Sequence, residues 1–159
     1  MTVTYKTEEE KERVILVAVD VEDGTDVEDS LDELNELAET AGAVAVGRLI
    51  QKREAVHAGT YIGKGKIADL KEMAEQNQAD AIVCDDELSP AQITNLQEML
   101  QTKVIDRTVL ILDIFAKHAK TSEGKLQVEL AQLRYRSSRL AGLGKSLSRL
   151  GGGIGTRGP

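Results

Sequence analysis

Residues 79–107 read ADAIVCDDELSPAQITNLQEMLQTKVIDR, and a strand, a helix and a second strand are spelled out there in order. Asp80-AIVC-Asp85 is a short apolar run closed by aspartates, the signature of a strand covered on both faces. Ser89-Pro90 then supplies a cap with proline at the first helical position, opening the helix AQITNLQEMLQ, and Lys103-VID-Arg107 makes the next strand. Two strands joined through a helix belong side by side and parallel, with a right-handed crossover.

The same alternation extends upstream. Arg13-VILVAV-Asp20 is an apolar β-branched run that reads as a fully buried strand. Asp26 caps VEDSLDELNELAETAG, where Val27, Leu31, Leu34, Ala38 and Ala41 fall on one helical face and Gly42 ends the helix. Ala43-VAVGRLIQ-Lys52 is a second strand, and Gly65-KIADLKEMAEQN a second helix. These elements predict an α/β fold: a small four-stranded parallel sheet flanked by helices, over residues 13–107.

Downstream the pattern changes. Thr108-VLILDIFAKHA is an apolar helix, and Thr121-SEGKLQVELAQLRYRSSRLAG continues in helical register, with Gly124 placed to bend or break the junction. Leu126, Leu130, Leu133, Ser137 and Leu140 recur at near-heptad spacing, a stripe that calls for a partner helix. Residues 108–143 thus form a long C-terminal helical segment, and 144–159 a glycine-rich basic tail. Residues 142–159 hold seven glycines in eighteen residues and no carboxylate, which predicts a mobile stretch unless a ligand orders it.

Charge divides the chain at the same place. Residues 1–116 carry 11 lysines and arginines against 25 acidic residues, whereas residues 117–159 carry 9 against 2. An acidic body repels a polyanion and a basic tail attracts one, so the tail is the candidate contact for nucleic acid. The 159 residues include only 3% aromatics, so the core must be aliphatic. No apolar run is long enough to span a membrane, and the acidic opening lacks the features of a signal peptide, which predicts a cytoplasmic protein with no membrane partner. A single cysteine, Cys84, fits a reducing compartment and reads as a small buried side chain.

Three glycine clusters invite a nucleotide-binding reading. Gly153-Ile-Gly155-Thr-Arg-Gly158 matches G-x-G-x-x-G, but no strand precedes it and no helix follows. Gly144-Lys145-Ser146 lacks the upstream glycine of a phosphate loop, since position 139 is Arg139. Gly59-TYIGKGK-Ile67 has better context, between a strand and a helix, and Gly63, Lys64, Gly65 and Lys66 there could meet a phosphate, although a structural turn explains them as well. Asp85-Asp86-Glu87 could hold a metal at a strand end, or form a solvated loop leading to the Ser89 cap; with no histidine nearby the second reading is simpler, and no metal site is assigned. His57 and His118 stand beside no nucleophile, so there is no catalytic constellation. Arginines in glycine-rich backbone suit folded RNA, where guanidinium groups pair with phosphates or stack on bases.

Several blocks together resemble the N-terminal region of the HflX family of ribosome-associated GTPases. They are Tyr61-Ile-Gly-Lys-Gly-Lys66, Asp86-Glu-Leu-Ser-Pro-Ala-Gln92, Val104-Ile-Asp-Arg-Thr108, Leu112-Asp-Ile-Phe115, Gly124-Lys-Leu-Gln-Val-Glu-Leu-Ala-Gln-Leu133 and Ser148-Arg-Leu-Gly-Gly-Gly-Ile-Gly-Thr-Arg-Gly-Pro159. The resemblance implies an α/β subdomain, then a pair of long antiparallel helices, then a GTPase domain that this sequence does not include. It implies no catalytic residue and no cofactor here, with GTP and magnesium belonging to that absent domain. It implies the large ribosomal subunit and its rRNA as partners, a partly ribosome-associated location, and a role in splitting or rescuing ribosomes under stress. The rRNA contacts would then be Arg139, Lys145, Ser146, Arg149, Gly151, Gly152, Gly153 and Arg157. With the second helix missing, the leucine stripe is expected to pack on the body or to drive self-association. The alternatives are an ATP-binding, RNA-remodelling module centred on Gly63–Lys66, and a regulatory domain for the attached GTPase domain.

Overall fold

A computed structural model describes residues 11–119 and 121–140, except the side chains of Arg136, Ser138, Arg139 and Leu140. The order of elements is β1 (Glu12–Asp20), α1 (Val27–Thr40), β2 (Ala43–Lys52), α2 (Lys64–Gln76), β3 (Ala81–Cys84), α3 (Pro90–Leu100), β4 (Lys103–Asp106), α4 (Arg107–His118) and α5 (Ser122–Leu140). The four strands form one all-parallel sheet in the order β2-β1-β3-β4.

The central strand β1 shows why the run VILVAV is continuous rather than alternating. Val14, Leu16 and Ala18 face a layer built from Leu31, Leu34 and Ala38 of α1 and Val109, Leu110 and Ile114 of α4. Ile15, Val17 and Val19 face the opposite layer, with Ile67 and Leu70 of α2 and Ile93, Leu96 and Leu100 of α3. Each such aliphatic side chain removed from water contributes about 1.5–3 kcal/mol, so a helix on each face offsets the entropy of ordering the sheet. Cys84 is wholly buried in the second layer, in the role of a small apolar side chain.

Local chemistry sets the boundaries. Asp26 caps α1 by accepting from the Asp29 amide, and Gly42 takes φ of 91° just past its end. Ser89 and Gln92 form a reciprocal capping box on α3, with Pro90 in the first turn. Several boundaries differ from the sequence reading by a residue or two, and two of these shifts have a local cause. α4 starts one residue earlier, at Arg107, because the Asp106 carboxylate accepts from the Val109 amide and caps it. The break before α5 falls ahead of Gly124: α4 ends at His118, and Thr121 Oγ1 accepts the Gly124 amide at 2.8 Å, making Gly124 a first-turn residue.

α5 folds back along α4. Gln132 donates to Asp113 at 2.8 Å, and Tyr135 donates its hydroxyl to Asp106, so later residues of α5 meet earlier residues of α4 and the helices run antiparallel. The half-buried stripe on α5 is Gly124, Val128, Gln132 and Tyr135. Leu126, Leu130 and Leu133 lie on the other side of the helix and are 57%, 41% and 62% exposed, so among the described residues the leucine stripe has no partner. Among those residues no helix is long and apolar enough to cross a membrane.

Candidate functional site

Of the expected RNA contacts, the side chain of Arg139 and the whole of Lys145, Ser146, Arg149, Gly151, Gly152, Gly153 and Arg157 lie outside the described residues. The other candidate, the turn before α2, is fully described. His57 and Tyr61 close it by a two-way backbone bridge of 3.0 and 2.8 Å. His57 Nδ1 accepts the amides of Gly59 and Thr60, each at 3.1 Å, which assigns the ring proton to Nε2. From α3, Gln92 donates to the His57 carbonyl and Asn95 to the Gly59 carbonyl. A threonine therefore does stand beside this histidine, with Thr60 Oγ1 3.0 Å from Nδ1. Its hydroxyl is committed to the Ile62 carbonyl at 2.7 Å, so the pair locks a turn and activates no nucleophile.

Tyr61 carries the strain of this turn. It is 1% exposed and its φ is 66°, a left-handed conformation that costs a non-glycine residue roughly 1–2 kcal/mol. The side chain reaches the carboxyl ends of the strands, where the hydroxyl donates to Asp86 at 2.5 Å and accepts the Val19 amide at 3.3 Å. Burial, with Cys84 and Asp86 nearby, pushes this phenol far above its ordinary range, so it stays protonated at any working pH.

Beyond Tyr61, Gly63 is the N-cap of α2 and gives it no side-chain acceptor; its own amide donates to Gln51 at 2.8 Å. A Cβ at Gly63 would sit 2.8 Å from an Arg53 guanidinium nitrogen, the far end of a flexible side chain that can move aside. Lys64, Gly65 and Lys66 form a first turn with no carboxylate, and Lys66 lies 3.9 Å from Asp69. Arg53 also borders an open cavity of about 480 Å³ with Val21, Glu22, Lys52 and Glu54, at the ends of β1 and β2. An uncapped helix start and nearby cations favour an anion there.

In the acidic loop after β3, Asp86 and Glu87 are exposed and lead to the Ser89 cap, whereas Asp85 is drawn inward. Asp85 accepts from Arg107 Nε at 3.1 Å and Nη2 at 2.8 Å, and from Ser30 Oγ at 2.6 Å; its side chain is only 8% exposed. Asp86 is taken by Tyr61. The loop closes on Asp106, whose Oδ2 accepts the Leu88 amide at 3.0 Å and also receives Tyr135. Among the described residues no cluster of histidine, cysteine or carboxylates is arranged for a metal. Aspartates in a strand-end loop look alike in sequence whether they face water or a buried arginine. The signal that was available is Arg107, a cation placed directly after β4 and within reach of the end of β3.

Two family models match, described as "GTP-binding GTPase N-terminal" over residues 28–116 and "GTP-binding GTPase Middle Region" over residues 118–159. Among curated proteins, the "GTPase HflX" of Lacrimispora saccharolytica is 64% identical over 159 residues, covering 100% of this chain and 38% of that protein. The "GTPase HflX" of Escherichia coli is 44% identical over 148 residues, 93% of this chain and 34% of its own length. A crystal structure of a GTP-binding protein from Sulfolobus solfataricus in complex with GDP aligns with a TM-score of 0.60 at 25% identity, covering 81% of this chain and 38% of that one. The chain thus spans a little over a third of the length of the relatives it matches. It belongs to the HflX family of GTP-binding GTPases and carries that family's N-terminal and middle regions.

Proposed function

We propose that this chain is the module by which an HflX-type GTPase docks on the large ribosomal subunit, with the segment from Arg139 to Arg157 as its rRNA contact. The carrying observation is the reversal of charge after residue 116, from 11 basic against 25 acidic residues to 9 against 2. The exposed carboxylates of α1, among them Asp29, Glu36 and Glu39, oppose docking of that face on a polyanion and leave the basic end to make the contact. Its seven glycines and three cations after residue 141 suit entry into folded RNA. In the whole protein, GTP binding and hydrolysis, and the splitting or rescue of stalled ribosomes, belong to regions beyond this chain; the module works in the cytoplasm and directs that activity to its site. Co-sedimentation with large subunits over a salt series tests the reading. Arg149→Ala/Arg157→Ala is expected to weaken binding and to make its salt dependence shallower by about one to two units of log–log slope. Unchanged affinity and slope exclude the tail as the contact.

A second reading rests on the head of α2, where Lys64, Lys66 and Arg53 surround a helix start without a capping side chain. It makes Gly63–Lys66 a phosphate contact for ATP in an RNA-remodelling module. Calorimetry with millimolar ATP decides it: binding lost in Lys66→Ala supports the reading, and no heat in the unaltered chain ends it.

A further inference from the structure

The two sides of the sheet end differently. At β4, α5 packs against α3 and α4, one helix from each layer, and Tyr135 reaches Asp106 at the strand's end, so that side is closed. At the other side β2 pairs with β1 alone, and no described strand takes its outer edge. This edge runs for 10 residues, and its Val44, Val46 and Ile50 are only half-buried. A long edge with apolar side chains pairs readily with another extended chain. The features that could blunt it act locally. A bulge at Val46 interrupts the register with β1 but leaves Gly47–Lys52 regular, and Arg48 is turned onto α1, where it meets Asp32 at 2.8 Å and Glu28 at 3.5 Å.

The two flanks of the edge are chemically unlike. On the α1 side Glu28, Asp32, Asn35 and Glu39 follow one another at helical spacing, and the contacts of Arg48 place that row beside β2. The row stays negative, because its three carboxylates meet one arginine and α1 itself carries no lysine or arginine. On the α2 side the neighbour is Met73, whose sulfur would lie 3.1 Å from a Cβ at Gly47.

We propose that the outer edge of β2 at Gly47–Lys52 takes up an extended basic segment of a partner protein as an added strand. Side chains of a strand alternate between its faces, so a segment with cations and apolar residues at alternate positions meets Glu28 and Asp32 on one side and Met73 on the other. Main-chain bonds to β2 supply the hold, and the carboxylates select the partner. The same row turns away other occupants. It repels RNA. A second copy joined edge to edge would be related by a two-fold axis through the sheet, which sets α1 beside α1 on one face and brings six carboxylates against six. This contact is independent of the basic segment after residue 138, which meets a polyanion.

Hydrogen exchange on the 159-residue chain, with a short peptide alternating lysine and valine as the probe, tests the assignment. In excess peptide the amides of Gly47–Lys52 that turn away from β1 are expected to exchange at least about threefold more slowly, while those of Val14–Ala18 in β1 keep their rate. Glu28→Gln/Asp32→Gln is expected to abolish this protection. Asp29→Asn/Glu33→Gln, which removes as much charge from α1 away from that row, is expected to preserve it. Absence of slowing in β2 overturns the proposal. Equal slowing by a glutamate–valine peptide or an RNA oligonucleotide overturns it too, as does equal loss in both variants, which marks charge attraction without a site. Protection already present without peptide is the last such outcome: lost on dilution, it marks a second copy, and lost in Arg149→Ala/Arg157→Ala, the chain's own basic segment.

Discussion

Helices α1 and α5 both carry leucines at helical spacing, and they use them in opposite ways. In α1, Leu31 and Leu34 vanish beneath the sheet and the carboxylates face water. In α5 the polar Gln132 and Tyr135 turn inward to Asp113 and Asp106, while Leu126, Leu130 and Leu133 face out. A period of 3.6 therefore marks which residues share a face but not which way that face points. The direction is decided by what else the helix offers, and in α5 the buried carboxylate of Asp106 captures the tyrosine.

The contrast breaks if the two leucine sets weigh equally in stability. Leu34→Ala is expected to cost about 2–5 kcal/mol in urea unfolding, since it empties a filled site between β1 and α1. A cost below about 1 kcal/mol there would mean that the layer collapses around the gap. A smaller effect tests the sheet end that anchors α5. Burial holds the Cys84 thiol above its ordinary 9.0, helped by Asp106, Asp86 and Asp85, and burial likewise holds the Tyr61 phenol above its ordinary 10.0. Both groups are neutral in the fold. Their contribution is complete below those ordinary values and declines as pH rises past 9 and then 10, because the unfolded chain sheds protons that the folded chain retains. Tyr61→Phe should flatten this alkaline decline by up to about 1.4 kcal/mol per pH unit above pH 10, read from urea midpoints across the range. An identical decline in the variant would show that Tyr61 is not shielded. Smallest of all, Leu130→Gln is expected to change stability by less than about 0.5 kcal/mol. A loss above 1 kcal/mol would show that the outward face is covered in solution.

The α/β layers were legible because their signals are local. VILVAV reads as a strand covered on both sides, and Asp26, Ser89-Pro90 and Gly42 mark helix ends by local chemistry that acts within three residues. Strand order was not legible, since nothing in β1 says that β3 lies on one side and β2 on the other. Nor was the acidic loop: Asp85 meets Ser30 and Arg107, 55 and 22 residues away, and a spacing so long leaves no periodic trace. The break before α5 falls ahead of Gly124 because the Thr121 hydroxyl captures the glycine amide, which keeps Gly124 inside the first turn of a helix starting at Ser122. At the turn before α2, the glycines do not mark the residue whose backbone is left-handed, which is Tyr61.

The place of β1 in the sheet also bears on how the chain is made. Its neighbours are β2 and β3, and the Arg13 amide reaches Asp80 at 2.8 Å across 67 residues of sequence. β1 leaves the ribosome before β3 and thus waits for it before its second edge is paired. Until Ala81–Cys84 emerges, β1, α1 and β2 form at most a half-sheet with one edge of β1 open, the kind of edge that recruits other chains. The acidic coat of α1 covers one side of that nascent half-sheet and gives it mutual repulsion during the interval.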